Sequence, residues 1–243
     1  MTPIIIGAGR GRRLAHLTQD VPKPLVEIVG RPMLEHVLMA LEAGGFARRD
    51  VVYVRGYLGE VIEARYPELV YVDNRDWERN NILASLLCAR RFMSKGFVSS
   101  YADIVYAPSA IEKLMASSHG FAIVCDRDWR RRYRDRSEHP ETDAEKVRVE
   151  GDRVVEISRH IDPEQASGEF IGVMKLDAAS AQHFLASYDE VLTSRSLEKA
   201  YLIDLLQHMI EQGEGIHWVP IDGGYMEIDT TEDARHAESW WKG

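Results

Sequence analysis

The feature that most constrains the fold is a glycine-rich loop placed directly after a short apolar run near the start of the chain. Ile4–Ile6 is β-branched and is followed by glycine, which predicts a fully buried first strand. The next segment is Gly7-Ala8-Gly9-Arg10-Gly11-Arg12-Arg13-Leu14. Its glycines let the backbone approach a ligand closely and expose N–H groups that cradle an anion. A tight turn without a ligand is the simpler alternative, but three arginines in the same loop favour phosphate binding.

The first half of the chain alternates between predicted strands and helices. Apolar runs predict strands at 51–54, 69–72, 96–101 and 122–125, and helical spacing of apolar residues predicts helices between them. This rhythm predicts an α/β fold with a parallel sheet covered by helices on both faces. Ligands of such sheets bind outside the carboxyl ends of the strands. We therefore expect the loops after Ile6, Val54, Tyr101 and Cys125 to line one site.

The second half of the chain changes in character. Residues 127–136 are dense in arginine, residues 139–145 predict a mobile polar loop, and two alternating runs around Gly151-Asp152 predict a hairpin. A further strand is predicted at Ile171–Leu176, and helices at about 178–188, 197–212 and 231–240. Because no internal repeat and no Gly/Ser-rich linker interrupts the chain, we expect a single domain over residues 1–243, with a small β subregion at about 127–175.

The bulk composition excludes several classes of partner. The net charge of −9 gives no overall basic footprint, so we expect no nucleic-acid partner. No apolar run approaches the roughly 18 residues of a membrane span. Two cysteines, Cys88 and Cys125, lie in apolar runs and predict buried thiols of a cytoplasmic protein. Trp240-Trp241 is compatible with a homodimer contact or with packing back onto the domain.

A lysine between two prolines follows the glycine loop. In Val21-Pro22-Lys23-Pro24-Leu25, the prolines restrict the backbone on either side of Lys23. An isolated motif of this kind is typical of a surface turn. Beside a phosphate loop, however, a rigidly held lysine is well placed to contact a phosphate oxygen.

Two other nucleotide-binding loops fit the sequence less well. The dinucleotide pattern Gly-x-Gly-x-x-Gly requires a third glycine where the chain has Arg12 or Leu14, and Arg55 ends the second strand in place of an acidic ribose ligand. Since an arginine there suits a 2′-phosphate, an NADP enzyme remains an alternative. A Walker loop is excluded because the chain has no Gly-Lys-Ser/Thr.

These motifs in order resemble the signature of the sugar-phosphate and alcohol-phosphate nucleotidyltransferases. The resemblance rests on Gly9-x-Gly11-x-Arg13-Leu14, Pro22-Lys23-Pro24-Leu25 and Gly30-x-Pro32-Met33-Leu34. It implies a Rossmann-like, mostly parallel sheet of the nucleotidyltransferase type, a glycine loop around the triphosphate, and a lysine on the reacting phosphates. The family more often has alanine at the position of Gly7, a difference that we expect to cost nothing.

Later segments resemble the phosphocholine cytidylyltransferase-like branch, which includes cytidylyltransferases for phosphonates such as 2-aminoethylphosphonate. They are Asn80-Asn81-Ile82-Leu83-Ala84-Ser85-Leu86, Tyr101-Ala102-Asp103, Asp126-Arg127-Asp128-Trp129, Tyr201-Leu202-Ile203-Asp204 and Glu227-Ile228-Asp229-Thr230. The resemblance covers nearly the whole chain. It implies transfer of CMP from CTP to a small phosphonate or phosphorylated alcohol, with release of pyrophosphate.

The resemblance also assigns roles to residues. It implies that Asp103 and Asp229, with Glu227 nearby, bind Mg²⁺, an ion that prefers carboxylate oxygens. The alternative for Asp229, beside Thr230-Thr231, is an acid at a helix N-terminus, but the metal role is favoured. The implied catalytic residues are Lys23, Arg13 and Asp103. The nucleotide is expected to contact Gly7, Ala8, Gly9, Arg10, Gly11, Arg12, Gly56, Tyr57, Asn81 and Ser85.

The acceptor is expected to bind on the 127–175 side of the sheet. Trp129 is a candidate to stack on a cationic head group, and Asp126 or Asp128 to pair with an ammonium. Arginines of this segment, Arg130 among them, favour an anionic phosphonate instead. Their alternative role is pairing with Asp135, Glu138 and Glu141 on a solvent-facing helix. Further candidates that border the acceptor are Lys146, Glu169 and Tyr201.

Competing functions remain at this point. One is a sugar-phosphate nucleotidyltransferase that uses UTP or dTTP, which the lack of a long sugar-binding insertion disfavours. Another is a non-catalytic nucleotide-binding regulatory protein, which has no need of a metal pair or of Lys23. The nine histidines show no metal-ligand spacing along the chain, so we expect them to be surface or structural residues.

Overall fold

A computed structural model of the chain describes residues 1–134, 136–194 and 200–241. The strands, in chain order, are β1 (Thr2–Gly7), β2 (Glu27–Ile28), β3 (Arg31–Pro32), β4 (Val52–Arg55), β5 (Val70–Asp73), β6 (Phe97–Tyr101), β7 (Ile104–Tyr106), β8 (Phe121–Asp126), β9 (Lys146–Glu150), β10 (Arg153–Ser158), β11 (Gly168–Leu176), β12 (His217–Ile221) and β13 (Tyr225–Glu227). The α-helices are α1 (Met33–Ala43), α2 (Gly59–Arg65), α3 (Ile82–Cys88), α4 (Ser109–Ala116), α5 (Arg130–Tyr133), α6 (Ala178–Ser194), α7 (Leu202–Glu211) and α8 (Thr231–Trp240). Short 3₁₀ turns lie at Arg12–Thr18, Lys23–Leu25, Arg48–Asp50, Arg90–Phe92 and Glu141–Asp143.

Most of the strands form one sheet in the order β5-β4-β1-β6-β11-β8-β12-β10-β9. Strand β1 pairs in parallel with β4 and β6, β4 with β5, and β8 with β12. Strand β11 lies antiparallel between β6 and β8, and β10 is antiparallel to both β12 and β9. The Rossmann-like, mostly parallel sheet is therefore confirmed. The sequence gives no sign that β11 runs against its neighbours.

The two faces of the sheet carry separate apolar cores. Ile4 and Ile6 of β1 pack with α3, α6 and α7, whereas Ile5 packs with α1, α2 and α4 on the opposite face. Alternate side chains of a strand point to opposite faces, and the unbroken apolar run of β1 fits a strand that is buried on both. Helices on both faces fix β1, and with it the start of the glycine loop.

Several local expectations change in the structure. The helix predicted at 197–212 is described only as α7, and residues 197–199 lie outside the described part of the chain. Cys125 is buried as expected, but Cys88 is partly exposed. Trp241 is buried and meets the His36 ring edge-on at 5.8 Å, so it packs back onto the domain, while the Trp240 side chain lies outside the description. Among the described helices, none is both long and apolar enough to cross a membrane.

The predicted hairpin forms the far edge of the same sheet. Strands β9 and β10 pair around Gly151, whose φ of 64° suits the turn. Strand β10 also pairs with β12, and β9 with the start of β11. The hairpin is thus joined directly to the main sheet.

Gly172 interrupts β11 and lets Tyr101 pack against it. Its φ is 79°, and a Cβ there would lie 2.2 Å from Cδ2 of Tyr101. The pairing of β11 with β8 shifts register between Phe170 and Met174, as expected of a bulge. Because Tyr101 ends β6 two residues before Asp103, this glycine helps to position the end of that strand.

We predict that Gly172→Ala destabilises the protein more than Gly213→Ala. Both glycines have positive φ, but a Cβ at Gly213 has no atom within 4 Å. Each substitution therefore incurs about 1–2 kcal/mol of backbone strain, and Gly172→Ala adds about 1–3 kcal/mol from the clash with Tyr101. Urea unfolding of the two variants measures the difference. Equal free energies of unfolding would show that Tyr101 yields without cost.

Candidate active site

A cavity of about 360 Å³ opens at the carboxyl ends of β1 and β6. It is lined by Ile6, Gly7, Ala8, Gly9, Gly11, Arg12, Arg13, Lys23, Pro24, Trp77, Asn80, Asn81, Ile82, Ser85, Ala102, Asp103 and Asp229. The loop after β1 and the residues after β6 meet here as the sheet topology requires. Asp126, at the end of β8, is buried and does not line this cavity.

Two glycines of the loop are required by close neighbours. Gly11 has a φ of 67°, and a Cβ there would lie 2.5 Å from Cδ of Lys23. At Gly7 a Cβ would lie 2.0 Å from the hydroxyl oxygen of Tyr53, which itself donates a hydrogen bond to the Gly7 carbonyl at 3.2 Å. Glycine at position 7 is therefore not interchangeable with alanine in this chain, because Tyr53 occupies the space.

The Lys23 ammonium is buried between two carboxylates. Its Nζ donates to Oδ2 of Asp103 at 2.7 Å and also to Asp229. Burial alone would lower the pKa of Lys23, but the two carboxylates more than offset it and hold the pKa above its ordinary value. A lysine that is only 5% exposed thus remains charged because two acids from distant parts of the chain converge on it.

Asp229 is held by cations on both carboxylate oxygens. Lys23 contacts Oδ1 and Arg13 contacts Oδ2. Burial would raise the pKa of Asp229, yet the two cations outweigh it and bring the pKa to about 2. Its main chain lies beside Asp103 because β13 pairs with β7 and the Ile228 N–H donates to the Asp103 carbonyl at 3.0 Å.

Thr230 is the N-cap of α8, and Asp233, three residues later, completes the cap. Oδ2 of Asp233 accepts from the backbone N–H of Thr230 at 2.8 Å and of Asp229 at 3.0 Å, while Thr230 Oγ1 accepts from Asp233 N–H at 3.1 Å. This reciprocal arrangement is a capping box. It leaves the Asp229 carboxylate free to face the cavity, so the helix-cap alternative for Asp229 is wrong.

His139 links this cap to Glu227. The ring is 1% exposed, with Nδ1 3.4 Å from Asp233 Oδ2 and Nε2 3.4 Å from Glu227 Oε2. Arg136 reinforces the group, since its Nε lies 2.9 Å from Asp233 Oδ1 and its Nη2 donates to the Glu227 carbonyl at 2.7 Å. The sequence predicted a mobile loop here; instead His139 is buried and positions the acid beside the cavity.

Two acids and a histidine form a group whose donor atoms could hold a cation. Glu227, Asp229 and His139 have donor atoms within 4.8 Å of one another, and Asp103 shares Lys23 with Asp229. Hard carboxylate oxygens are the donors that Mg²⁺ prefers. Burial, followed by the charges of Asp229 and Asp103, raises the pKa of Glu227, as expected of acids crowded around a site for positive charge.

One wall of the cavity is lined by Trp77, Asn80, Asn81 and Ser85, and a second layer of side chains supports it from behind. Arg10, Gly56 and Tyr57, which were predicted to contact the nucleotide, belong to this second layer and do not line the cavity itself. The Tyr57 N–H donates to the Ala8 carbonyl at 3.0 Å, and the Tyr57 ring lies 5.5 Å from Trp77 and 5.1 Å from the Arg10 guanidinium. Asn74 Nδ2 donates to Ser85 Oγ at 2.8 Å, so this hydroxyl is held in place. Gly56 is tightly packed, since a Cβ there would lie 2.5 Å from the Ala8 carbonyl.

Sequence reasoning missed Asn74 and Trp77 on this wall. Asn74 follows the last residue of β5, and its amide also hydrogen-bonds Asn80. Its position after a parallel strand is a signal that was present in the sequence. No comparable signal marks Trp77, which enters the wall through the loop before α3.

The structure disfavours the NADP alternative. Arg55 forms ion pairs with Asp73 and Glu63, which leaves little of its charge for a 2′-phosphate.

None of the seven residues predicted for the acceptor lines this cavity, and Tyr201 lines a second one. Trp129 is 2% exposed and packs on Tyr133, which corrects the expectation that its ring faces the crevice. Asp126 and Glu169 are buried against Arg132. Asp128 lies near Arg131, and Arg130 pairs with Glu141 and Glu164 at the surface. Lys146 is 1% exposed, and burial lowers its pKa.

The arginine-rich segment is largely neutralised by neighbouring acids. Arg127 pairs with Asp222, Arg132 with Asp126 and Glu169, and Arg136 with Asp233. Among the partners expected for these arginines, the structure shows Glu141 with Arg130. Arg127, Arg132 and Arg136 pair instead with acids outside the expected set, and Arg132 and Arg136 are buried rather than solvent-facing. Asp135, one of the expected partners, lies outside the described residues.

A polar group that the sequence did not reveal lies next to the carboxylates. Glu145 is 9% exposed; Arg159 donates to it at 3.0 Å, and the Tyr101 hydroxyl donates at 3.3 Å. Arg159 also lies 4.4 Å from the ring centre of Tyr201, which borders a second cavity of about 790 Å³. Burial raises the pKa of Glu145 to about 7, although Arg159 opposes the shift.

Comparison with known proteins gives a consistent family and fold. Residues 3–142 match the model of the MobA-like NTP transferase domain. The chain is 29% identical to the CTP:phosphoglutamine cytidylyltransferase of Campylobacter jejuni, over 96% of this chain and 97% of that protein. It is 41% identical to the 2-aminoethylphosphonate cytidylyltransferase of Lancefieldella rimae, over 38% of each protein.

Solved structures show the same fold. The CTP:phosphocholine cytidylyltransferase of Streptococcus pneumoniae superposes with a TM-score of 0.78 at 23% identity, covering 98% of this chain and 97% of that one. The inositol-1-phosphate CTP transferase of T. maritima gives 0.76 at 23% identity, covering 100% and 98%. The nucleotidyltransferase fold that the resemblance implied is therefore confirmed.

We predict that Glu145→Gln removes a pH-dependent loss of stability. A raised pKa means that the folded protein holds the Glu145 proton more tightly than the unfolded chain, so wild-type stability falls as the pH rises from about 5 through 7. The free energy of unfolding of Glu145→Gln, minus that of the wild type, should thus increase by about 3 kcal/mol between pH 5 and pH 8. Denaturant unfolding at several pH values measures it.

Glu150→Gln serves as the matched control, because Glu150 is an exposed acid on the neighbouring strand β9. Its difference from the wild type should not change with pH. If the difference in free energy of unfolding between Glu145→Gln and the wild type did not change with pH, the raised pKa of Glu145 would be contradicted.

Proposed function

Because this chain belongs to the family of MobA-like NTP transferase domains, we propose that it is a CTP-dependent cytidylyltransferase. It transfers CMP from CTP to a small phosphonate or phosphorylated alcohol and releases pyrophosphate. The observation that carries the proposal is the Lys23 ammonium held between Asp103 and Asp229 beside the glycine loop. The cytidylyltransferase names of its relatives support the choice of CTP.

The proposed reaction places few demands on acid–base chemistry. The acceptor's phosphate or phosphonate oxygen is already ionised at neutral pH and attacks the α-phosphorus of CTP. A new P–O bond forms there while the bond to the β-phosphate oxygen breaks, and pyrophosphate leaves. The main barrier is the approach of two anions, so catalysis depends on positioning and on charge neutralisation.

The chain supplies that positive charge from two sides of the cavity. The N–H groups of the glycine loop and Arg12 face the triphosphate side, and Lys23 and Arg13 lie nearer the carboxylates. Lys23 and Arg13 neutralise Asp229 in the structure. We propose that both cations turn to phosphate oxygens when CTP binds, so that they offset the charge on the α-phosphate and on the departing pyrophosphate.

Asp103, Asp229 and Glu227 would hold Mg²⁺. When bound, the ion supplies charge neutralisation between acceptor and α-phosphate. The capping box of α8 and His139 keep Asp229 and Glu227 oriented toward that position. The cytosine is proposed to lie against the wall of Trp77 and Ser85.

The acceptor is proposed to bind beyond the carboxylates, near Tyr101, Glu145 and Arg159. An arginine beside a buried acid suits a small zwitterionic acceptor, because Arg159 can face a carboxylate or phosphonate and Glu145 an ammonium. This placement replaces Trp129, whose ring is buried elsewhere. Tyr201 borders the same region through its contact with Arg159.

The test is pyrophosphate release in the presence of Mg²⁺, with EDTA as the control. CTP, UTP, ATP, GTP and dTTP are each combined with phosphocholine, 2-aminoethylphosphonate, phosphoglutamine and glucose 1-phosphate. We expect release with CTP and one of the first three acceptors. Release only with UTP or dTTP and the sugar phosphate would reassign the chain to nucleotide-sugar synthesis. Binding of CTP with no release from any acceptor would favour a regulatory nucleotide-binding protein.

A further inference from the structure

Two histidines and an aspartate lie close together at the ends of the strands that are opposite the candidate active site. His119 lies in the loop that leads into β8, His217 is the first residue of β12, and Asp152 lies in the turn between β9 and β10. Strands β8 and β12 run in parallel, and their amino ends, where this group lies, face away from the catalytic edge. The three residues are far apart in sequence, which is why their spacing gave no metal-site signal.

The donor atoms of this group have the separations of metal ligands. Nε2 of His119 lies 3.1 Å and Nδ1 of His217 lies 3.3 Å from the same oxygen of Asp152, Oδ2. All three donor atoms lie within 4.8 Å of one another. In a tetrahedral zinc site with bonds of 2.0–2.2 Å, neighbouring donors are about 3.3 Å apart.

The Nδ1 atom of His217 is an unsatisfied polar atom. It is buried from solvent and has no hydrogen-bond partner among the described residues, even though a carboxylate oxygen lies 3.3 Å away. Buried polar atoms are seldom left without a partner. A metal ion that accepts the lone pair of this nitrogen would remove the deficit.

The two imidazoles are stacked with centroids 3.6 Å apart and planes inclined by 6°. A metal ion must lie close to the plane of each ring it binds, and parallel planes do not meet. One ring must therefore turn. His119 is the ring that is free to do so, because it lies outside β8 and its side chain is 36% exposed, compared with 20% for His217.

We propose that His119, Asp152 and His217 bind a zinc ion, with water in the fourth position. Two imidazoles and one carboxylate favour Zn²⁺ over Mg²⁺, which prefers oxygen ligands alone. The ion would join the turn of the β9–β10 hairpin to the amino ends of β8 and β12. That hairpin begins at Lys146 and leads into Arg159, which lies near the proposed acceptor site. A zinc ion at the turn would therefore stabilise the hairpin at the end of its strands that is far from the acceptor.

The test is a titration with Zn²⁺ by isothermal calorimetry. Excess Mg²⁺ is included so that it competes with zinc for the carboxylates of the candidate active site. The wild type should bind one zinc ion per chain more than His119→Ala or His217→Ala. His183→Ala is the matched control, because His183 contacts Glu214 at 3.3 Å without a second histidine, and it should bind zinc as the wild type does. Thermal unfolding without zinc establishes that each variant is folded.

Thermal unfolding with zinc gives a second measurement. A zinc concentration tenfold above Kd should raise the Tm of the wild type and of His183→Ala by about 3–6 °C, and should leave the His119→Ala and His217→Ala variants unchanged. Equal zinc stoichiometry in the wild type and in a His119→Ala/His217→Ala double variant would overturn the proposal. So would a zinc-dependent Tm shift that both share. Neither outcome depends on cytidylyl transfer.

Discussion

The structure depends above all on one buried ammonium, that of Lys23, shared by two carboxylates. A buried lysine is tolerated only when its charge is matched, so the segments that carry Lys23, Asp103 and Asp229 must come together. Pro22 and Pro24 restrict the first segment, the end of β6 presents the second, and the capping box of α8 presents the third. Removing any one of the three would leave the remaining charges less completely matched.

The same charges prepare the cavity for anions. The chain is acidic overall, with a net charge of −9, yet the cavity brings Lys23, Arg12 and Arg13 beside a glycine loop. Lys23 and Arg13 neutralise Asp229, and Lys23 also neutralises Asp103. In the proposed reaction the cations contact phosphate oxygens instead, and the carboxylates contact the metal ion. The charged groups of the site are therefore already in place before the substrate binds.

The site features that could be predicted from the sequence are those formed by residues close together along the chain. A strand followed by a glycine loop, a lysine between prolines and an acid at a strand end each leave a signature within a few residues, and these residues line the cavity. The direction of β11 has no such signature, since the run Ile171–Leu176 is equally apolar in either direction. Glu145 and His139 lie in polar segments whose contacts are made by other parts of the chain, so only the folded structure shows them buried, with Arg159 beside Glu145. Trp129 was misplaced because its position after β8 was visible and its packing on Tyr133 was not.

Steady-state pyrophosphate release from CTP decides whether the cluster of Lys23, Asp103 and Asp229 is the catalytic centre of the proposed reaction. The variants to compare are Lys23→Ala and Asp103→Asn, with Lys113→Ala, at an exposed lysine of α4, as the control. We expect both variants of the cluster to fold and to lose roughly 10²-fold or more in kcat/KM, the scale for removing one preorganised charge, while Lys113→Ala retains wild-type activity. Near-wild-type turnover in folded Lys23→Ala or Asp103→Asn would contradict this assignment.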